Sequence, residues 1–342
     1  MTSGLLITKP GILTSVQDLG RVGYRQLGVP VSGALDRESL ELANALVGNE
    51  RAEAALEILY GGPTIKVVAE TARVALAGGE GRIAILGGRS IPAWQSVTLE
   101  SGETFEVMAD RRASCCYLAL AGGIAVPRFL GSAATYARAG IGGFEGRPLK
   151  AGDLLPLAFS RAPEREDLFL PAPPSLGREK TIAVVLGPQD RHFTDAALAL
   201  FLESEFRVSP QADRMGMRLD GPRLFHRGGW DIVSDAIPEG AIQVPGSGQP
   251  ILLLADHQTT GGYPKIATVI SADLPVVGRR RPGDALRFRA VGIEAAEALA
   301  RDARKSLDAL SRSLKPVSQK ASIDLDTLYE GNLISGVVSG RD

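Results

Sequence analysis

Apolar runs in this chain are short, and glycine or proline interrupts nearly all of them. Residues 55–69 read ALEILYGGPTIKVVA, and residues 73–86 read RVALAGGEGRIAIL. Each joins two strand-length runs around a glycine cluster, which supplies the backbone freedom of a tight reversal. With 40 glycines and 21 prolines in 342 residues, this punctuation recurs along most of the chain. Further strands are expected at residues 5–8, 96–99, 104–108 and 115–121, so the chain reads as mainly β. Three segments break the rule. Asp36 is placed to cap a helix with Glu38 in its first turn, Leu35, Leu42, Ala43 and Leu46 on one face, and Gly48 at its end. Thr194 caps a second helix over residues 195–202. The third, over residues 293–314, carries Ile293, Ala296, Ala300, Ala303, Leu307, Leu310 and Leu314 on one face.

The length suits two domains. GRPLKAGDLLPL (146–157) is echoed by GRRRPGDALRF (278–288), and each closes its half with a Gly-Asp turn and an apolar strand. The expected division is a β domain over residues 1–160, a linker rich in proline and charge over 161–179, a second β domain over 180–290, and a C-terminal helix and tail over 291–342. The 38 lysines and arginines nearly cancel the 39 aspartates and glutamates, which argues against a general nucleic-acid or membrane-surface role. The two cysteines, Cys115 and Cys116, are adjacent in an apolar run, a poor arrangement for a structural disulfide and a sign of a reducing compartment. With no signal-peptide pattern and no uncharged run long enough to span a bilayer, a soluble cytoplasmic protein is expected.

The common chemical motifs are missing. There is no Walker phosphate loop, no Rossmann glycine fingerprint after a strand, no nucleophile elbow and no zinc spacing, so no metal is expected. The three histidines, His192, His226 and His257, stand far apart. What remains is a set of polar loops punctuated by glycine: Gln17-Asp18-Leu19-Gly20-Arg21, residues 32–37 (SGALDR), residues 187–192 (GPQDRH), residues 211–216 (QADRMG) and the segment between the runs ILLLA (251–255) and IATVI (266–270). This last segment holds Asp256, His257, Gln258, Thr259, Thr260, Gly261, Gly262, Tyr263, Pro264 and Lys265. A polar loop between two buried strands is a place to grip a small polar ligand. Arginine offers a planar fork for carboxylate or phosphate, and Asp, Gln and Thr can read an amide or ureido group. Taken singly, each Asp-Arg pair is better explained by a loop-pinning ion pair, though five such loops together are harder to dismiss; Lys265 is either a charge stabiliser or a solvated loop lysine.

These loops carry a resemblance. TSVQDLGRVGYRQLGVPVSGALD, RFLGSAATYARAGIGGFEGRPLKAGD, LGPQDRHFT, ADRMGMRL, IPEGAIQVPGSGQPILLLAD, QTTGGYPKIATVI and GRRRPGD closely resemble the family that takes in biotin-dependent carboxyltransferase, allophanate hydrolase subunit 2, KipA and the C subunit of 5-oxoprolinase. The resemblance covers residues 5–290. It implies two cyclophilin-like β-barrel domains and action with partner chains. In 5-oxoprolinase these are the B subunit (KipI-like, allophanate hydrolase subunit 1-like) and the A subunit. Together they open the lactam of 5-oxoproline to glutamate with ATP, bound here or on a partner. In the urea carboxylase branch the partner supplies carboxylated biotin. This chain has no Met-Lys-Met segment and so carries no covalent biotin itself. A KipA-like role would instead neutralise a KipI-like kinase inhibitor. Within this reading, Lys265, Arg214 and Asp213 are the candidate catalytic groups. Gln17, Asp18, Arg21, His257, Gln258, Thr259, Thr260, Gly261, Gly262 and Tyr263 are the candidate substrate-binding groups. Two positions depart from the family pattern, which more often has Arg at the place of His257 and Ser-Asn at the place of Ala212-Asp213. Both departures bear on substrate rather than fold.

Overall fold

The computed structural model describes residues 3–174 and 181–320. Its first half contains strands β1 (Gly4–Lys9), β2 (Leu13–Gln17), β3 (Ala55–Leu59), β4 (Thr64–Val67), β5 (Thr71–Ala77), β6 (Arg82–Ile85), β7 (Ser90–Pro92), β8 (Ser96–Glu100), β9 (Thr104–Met108), β10 (Cys115–Leu120) and β11 (Leu154–Pro156), with helix α1 (Arg37–Val47) between β2 and β3. The strands form two antiparallel sheets, ordered β11-β1-β4-β9-β6-β7 and β2-β3-β10-β5-β8. Leu5, Ile7, Ile65, Val67, Phe105 and Val107 of the first sheet meet Val16, Leu56, Ile58, Val74, Leu76 and Leu118 of the second in one core. The second sheet is buried on its other face as well. There Ala55, Leu59, Ala75, Ala77, Cys115, Tyr117 and Ala119 pack in a different core. Burial on both faces is why these strands read as unbroken apolar runs rather than as alternating ones.

The second half is a closed seven-stranded barrel. After the short strand β12 (Leu168–Phe169) come β13 (Thr181–Leu186), helix α2 (Asp195–Glu203), β14 (Phe206–Asp213), β15 (Gly216–Asp220), β16 (Asp235–Ala236), β17 (Ala241–Gln243), β18 (Ile251–Leu253), β19 (Thr260–Gly261) and β20 (Lys265–Val269). Helix α3 (Leu274–Gly278), β21 (Ala285–Ala290), helix α4 (Ile293–Arg312) and β22 (Lys315–Pro316) complete the described chain. The barrel order is β13-β20-β17-β18-β15-β14-β21, closed by the parallel pairing of β21 with β13. Strands β18 and β20 each pair with β17 and not with each other. The loop between them therefore crosses one end of the barrel instead of turning a hairpin.

The helical caps form as the sequence indicates. Asp36 accepts a hydrogen bond from Ser39 N, Gly48 closes α1 in the left-handed region, and Thr194 caps α2 through Ala197 N. The segment expected to be a linker is pinned where it is described: Asp167 pairs with Arg73 at 3.0 Å, and β12 pairs with β22. Residues 175–180 and 321–342 of the expected linker and tail lie outside the described residues.

The two halves share a core. Leu40, Ala43, Leu46 and Val47 of α1 and the outer face of the β3-β10-β5 sheet cluster with Ile182, Phe201, Phe206, Val277, Phe288 and Leu307 of the second half. Ser114 N donates to Arg279 O at 3.0 Å, and Ser114 Oγ donates to Gly278 O at 2.7 Å. A Cβ at Gly278 would collide with Leu35 O, so only glycine permits this approach.

Candidate functional site

Arg214 sits at the tip of the β14–β15 hairpin but turns inward to the seam. Its Nε and Nη2 donate to the two oxygens of Asp256 at 2.8 and 3.1 Å, Nη2 donates to Gly33 O at 2.6 Å, and Nη1 donates to Glu57. Glu57 is 1 % exposed, and its other oxygen accepts from Leu35 N at 2.9 Å and from the Tyr117 hydroxyl at 2.6 Å. Tyr117 Oη in turn accepts from Asp36 N at 2.9 Å. The network is satisfied group by group, as a buried ion pair requires. Burial works against the Arg214 charge, but Glu57 and Asp256 outweigh it and hold the guanidinium protonated. Beside it, Arg279 donates to Asp36 at 3.0 Å and Arg37 pairs with Glu239 at 2.8 Å. Segment 32–37 of the first half is thereby fastened to loops 214 and 255–257 of the second.

Against this network lies a less complete one. Arg21 is 1 % exposed and donates through Nη2 to Ala134 O, while Nε and Nη1 have no partner among the described residues. Two nearby buried oxygens are in the same condition, Gln17 Oε1 and Ser32 Oγ. Gln17 is held by its amide nitrogen to Ser15 Oγ at 3.0 Å and Thr135 O at 3.2 Å. Asp18 is saturated by Gly20 N, Ser132 Oγ and Ala133 N at 2.6–2.7 Å. Burial lowers the Arg21 pKa, and Asp18 and Asp256 counter it. Buried polar atoms are rarely left unpaired in folded proteins, so this group of donors and acceptors is suited to a water or to the polar atoms of a ligand.

Lys265 leads β20 with a fully buried side chain, an unusual state for lysine. Its Nζ donates to Asp235 at 2.8 Å. Gln189 ties the pair together: its Nε2 donates to Asp235 at 3.1 Å, and its Oε1 accepts from Lys265 N at 3.2 Å. These contacts, Lys265 first, hold the Asp235 carboxyl below its ordinary range. Gln189 also walls an open cleft of about 630 Å³ lined by Pro188, Arg191, His192, Arg227 and Gly228. On the other side, Gln258 Nε2 reaches Gln243 Oε1 at 3.5 Å, Thr259 O accepts from Ile237 N at 3.0 Å, and Thr260-Gly261 pair with Asp235-Ala236. Tyr263 stacks obliquely on Trp230, with ring centroids 6.1 Å apart.

The residues singled out by sequence thus fall into two linked groups. Gln17, Asp18, Arg21, Arg214 and His257 lie at the seam; Lys265, Gln258, Thr259, Thr260, Gly261, Gly262 and Tyr263 lie around β16, which Gln189 links to the open cleft. The segment Asp256-His257-Gln258 joins them, since Asp256 belongs to the first and Gln258 to the second. His257 is buried and donates from Nδ1 to Gln258 O at 2.6 Å. Its pKa is lowered by burial, with Arg25 adding to the effect. Asp213 belongs to neither group: its side chain is 63 % exposed, caps its own turn through Met215 N at 2.8 Å, and faces Arg138 at 3.8 Å. Sequence reasoning passes over Glu57, Tyr117, Asp235 and Gln243. Glu57 and Tyr117 do leave a signal, because each interrupts an otherwise apolar strand, ALEIL and CCYLAL. Asp235 sits in a loop without periodicity and gives no such signal. Among the described residues, no helix is long and apolar enough to cross a membrane, and no group of three or more His, Cys, Asp or Glu is placed to hold a metal ion.

Comparison with known proteins accords with this architecture. The family model described as carboxyltransferase domain, subdomain A and B, matches residues 27–290. The C subunit of 5-oxoprolinase from Escherichia coli is 36 % identical over 307 residues, which cover 90 % of this chain and 97 % of that protein. The urea amidolyase of Saccharomyces cerevisiae is 34 % identical over 95 % of this chain, but the match covers 19 % of that much longer protein. Among solved structures, the K. lactis urea amidolyase superposes with a TM-score of 0.81 at 29 % identity, over 90 % of this chain and 20 % of that one. The chain belongs to the carboxyltransferase domain family, subdomains A and B.

Proposed function

We propose that this chain is one component of an ATP-dependent 5-oxoprolinase complex, which hydrolyses the lactam of 5-oxoproline to L-glutamate together with a KipI-like B subunit and an A subunit. The observation that carries this reading is end-to-end similarity. A relative bearing the name of the 5-oxoprolinase C subunit is matched over 97 % of its length, whereas the urea amidolyase match takes in 19 % of that protein.

A five-membered lactam resists water because its carbonyl is a stabilised amide. In the proposed reaction the γ-phosphoryl of ATP is transferred to the carbonyl oxygen with release of ADP, and a first water attacks the activated carbon. The ring C–N bond then breaks with a proton passing to nitrogen to leave an acyl phosphate, and a second water cleaves that to the carboxylate and phosphate. Charge develops on oxygen, so preorganised donors are the main requirement. Lys265, buried and held by a single carboxylate that is itself half exposed, is suited to meet that charge. In this reading Gln258, Thr259 and Thr260 orient the ring amide, and Arg191, His192 and Arg227, which line the open cleft, offer donors for the substrate carboxylate. Arg214, already shared between two carboxylates and a carbonyl, serves instead as a positioning residue. Asp213, on an exposed turn, keeps no chemical step in this reading. The buried free thiols Cys115 and Cys116 accord with a reducing, cytoplasmic setting, where ATP is supplied.

The test is ATP-dependent glutamate formation from 5-oxoproline by this chain mixed with the A and B subunits, each component omitted in turn. Turnover is expected to vanish without this chain, and K265Q is expected to lower kcat by about 10²–10³, the cost of one oxyanion donor. Full turnover without this chain would sink the reading. A second reading rests on the family description and on the urea amidolyase superposition: a carboxyltransferase component served by a carboxybiotin carrier on another chain. Carboxyl transfer from such a carrier to urea, with no glutamate formed, would favour it.

A further inference from the structure

Arg279 of the GRRRPGD segment serves the site described above, but the turn that follows it, residues 281–284, shapes a second cleft on the seam. Tyr60, Arg111, Arg112, Arg281, Pro282 and Asp284 line an opening of about 390 Å³, within the size range of small-ligand sites. The first half contributes Tyr60, which follows β3, and the Arg111-Arg112 turn before β10. The second half contributes the turn between α3 and β21. The bonds from Ser114 to Gly278 and Arg279 hold the two sides in register, and Tyr60 N donates to Ser114 O at 2.9 Å.

The side chains here are mostly donors. Arg112 is oriented by Asp110 at 3.2 Å and by Glu80. Asp284, the carboxylate in the lining, accepts from Arg281 N at 3.0 Å and shapes its own turn. Neither Arg111 nor Arg281 has a carboxylate partner among the described residues; the Arg281 guanidinium rests over the Tyr60 ring, 5.8 Å from its centroid. Tyr60 is held at φ 64, where a bulky side chain is rarely found. Burial raises its pKa despite Arg281, so the hydroxyl stays protonated and able to donate.

We propose that this cleft binds a phosphate group, carried by a small metabolite or nucleotide, between Arg111, Arg281 and the Tyr60 hydroxyl. A single carboxylate would engage one guanidinium edge, whereas a phosphate has oxygens enough to meet donors arriving from both halves. Bound there, it would bridge the seam and stabilise the native chain. The proposal is independent of the reading of the lactam site.

Isothermal titration of the full-length chain with inorganic phosphate and, separately, with ATP tests it, with chloride as the ionic control. Saturable phosphate binding is expected, with competition between phosphate and ATP for one site and a rise in Tm on binding. R281Q is expected to weaken binding roughly tenfold, the value of a charge-assisted bond. R111Q removes a side chain without an ion pair among the described residues, and is expected to weaken binding severalfold without changing Tm in the absence of ligand. Failure of phosphate to bind saturably overturns the proposal. So does binding that R111Q and R281Q leave unchanged, or ATP binding that phosphate does not displace.

Discussion

Arg214 and Asp213 are neighbours in sequence and opposites in circumstance. Replacing Arg214 by Met leaves Glu57 and Asp256 buried without a counter-charge, a change that costs about 3–5 kcal/mol. Urea unfolding of R214M is expected to show that loss, while D213A, on an exposed turn, stays within about 1 kcal/mol of the parent. Equal effects would refute the assignment of Arg214 as the seam's central ion pair. His257 gives a pH signature. Its pKa is depressed below the ordinary 6.5 by burial, so the native state refuses a proton that the unfolded chain accepts. Its contribution to stability is therefore full above pH 6.5 and is lost as pH falls through the lower folded value. Measured at descending pH from 7.5, the stability of the parent relative to H257N is expected to fall. Parallel curves would show that His257 does not titrate differently on folding. The candidate residues are legible as polar letters in glycine-rich loops. Their roles are not, because an arginine that pairs and an arginine left with free donors look alike in sequence.

At the scale of the element, α1 is the best-specified piece of the chain and also the most shared. Its cap, face and stop are all local and all readable: Asp36, the apolar Leu42, Ala43 and Leu46, and Gly48. The same Asp36 carboxylate also accepts from Arg279 at 3.0 Å, a contact across 243 residues that no local pattern announces. The two functions separate by substitution. D36N keeps a capping side chain and loses the ion pair, whereas D36A loses both. D36A is therefore expected to melt at a lower temperature than D36N, by about 1 kcal/mol of cap energy. Identical stabilities would mean that the cap contributes nothing here. Helix α3 escapes sequence reading: five residues, with a proline in the first turn, are too few to show a helical period. The long C-terminal helix is plain in its periodicity, but its packing is not. Leu307 is buried in the shared core, and Arg304 reaches Glu41 of α1 at 2.8 Å.

At the scale of the molecule, the seam makes the two halves one thermodynamic unit. Leu40, Tyr117, Phe206 and Leu307 occupy a single cluster, and satisfied ion pairs close its edge. Residues of both halves lose their solvent shield if either half opens. Calorimetry is expected to show one unfolding transition with equal calorimetric and van't Hoff enthalpies. Two resolved transitions would mean that the shared core contributes little and that the halves stand alone.

Sequence by itself determined what depends on near neighbours. Short apolar runs between glycines fix strands, Asp36 and Thr194 fix helix starts, and the ordered motifs fix the family. It determined the strand, loop and strand of residues 251–269 but not that β17 lies between the two strands. Tertiary structure alone decided which face of the β3-β10-β5 sheet meets the second half. It also placed Glu57 beneath Arg214 and Asp235 on Lys265. Those choices turn on desolvation and on geometry between residues far apart in the chain. A buried charge must find whichever counter-charge the fold brings within reach, and sequence spacing carries no record of that distance.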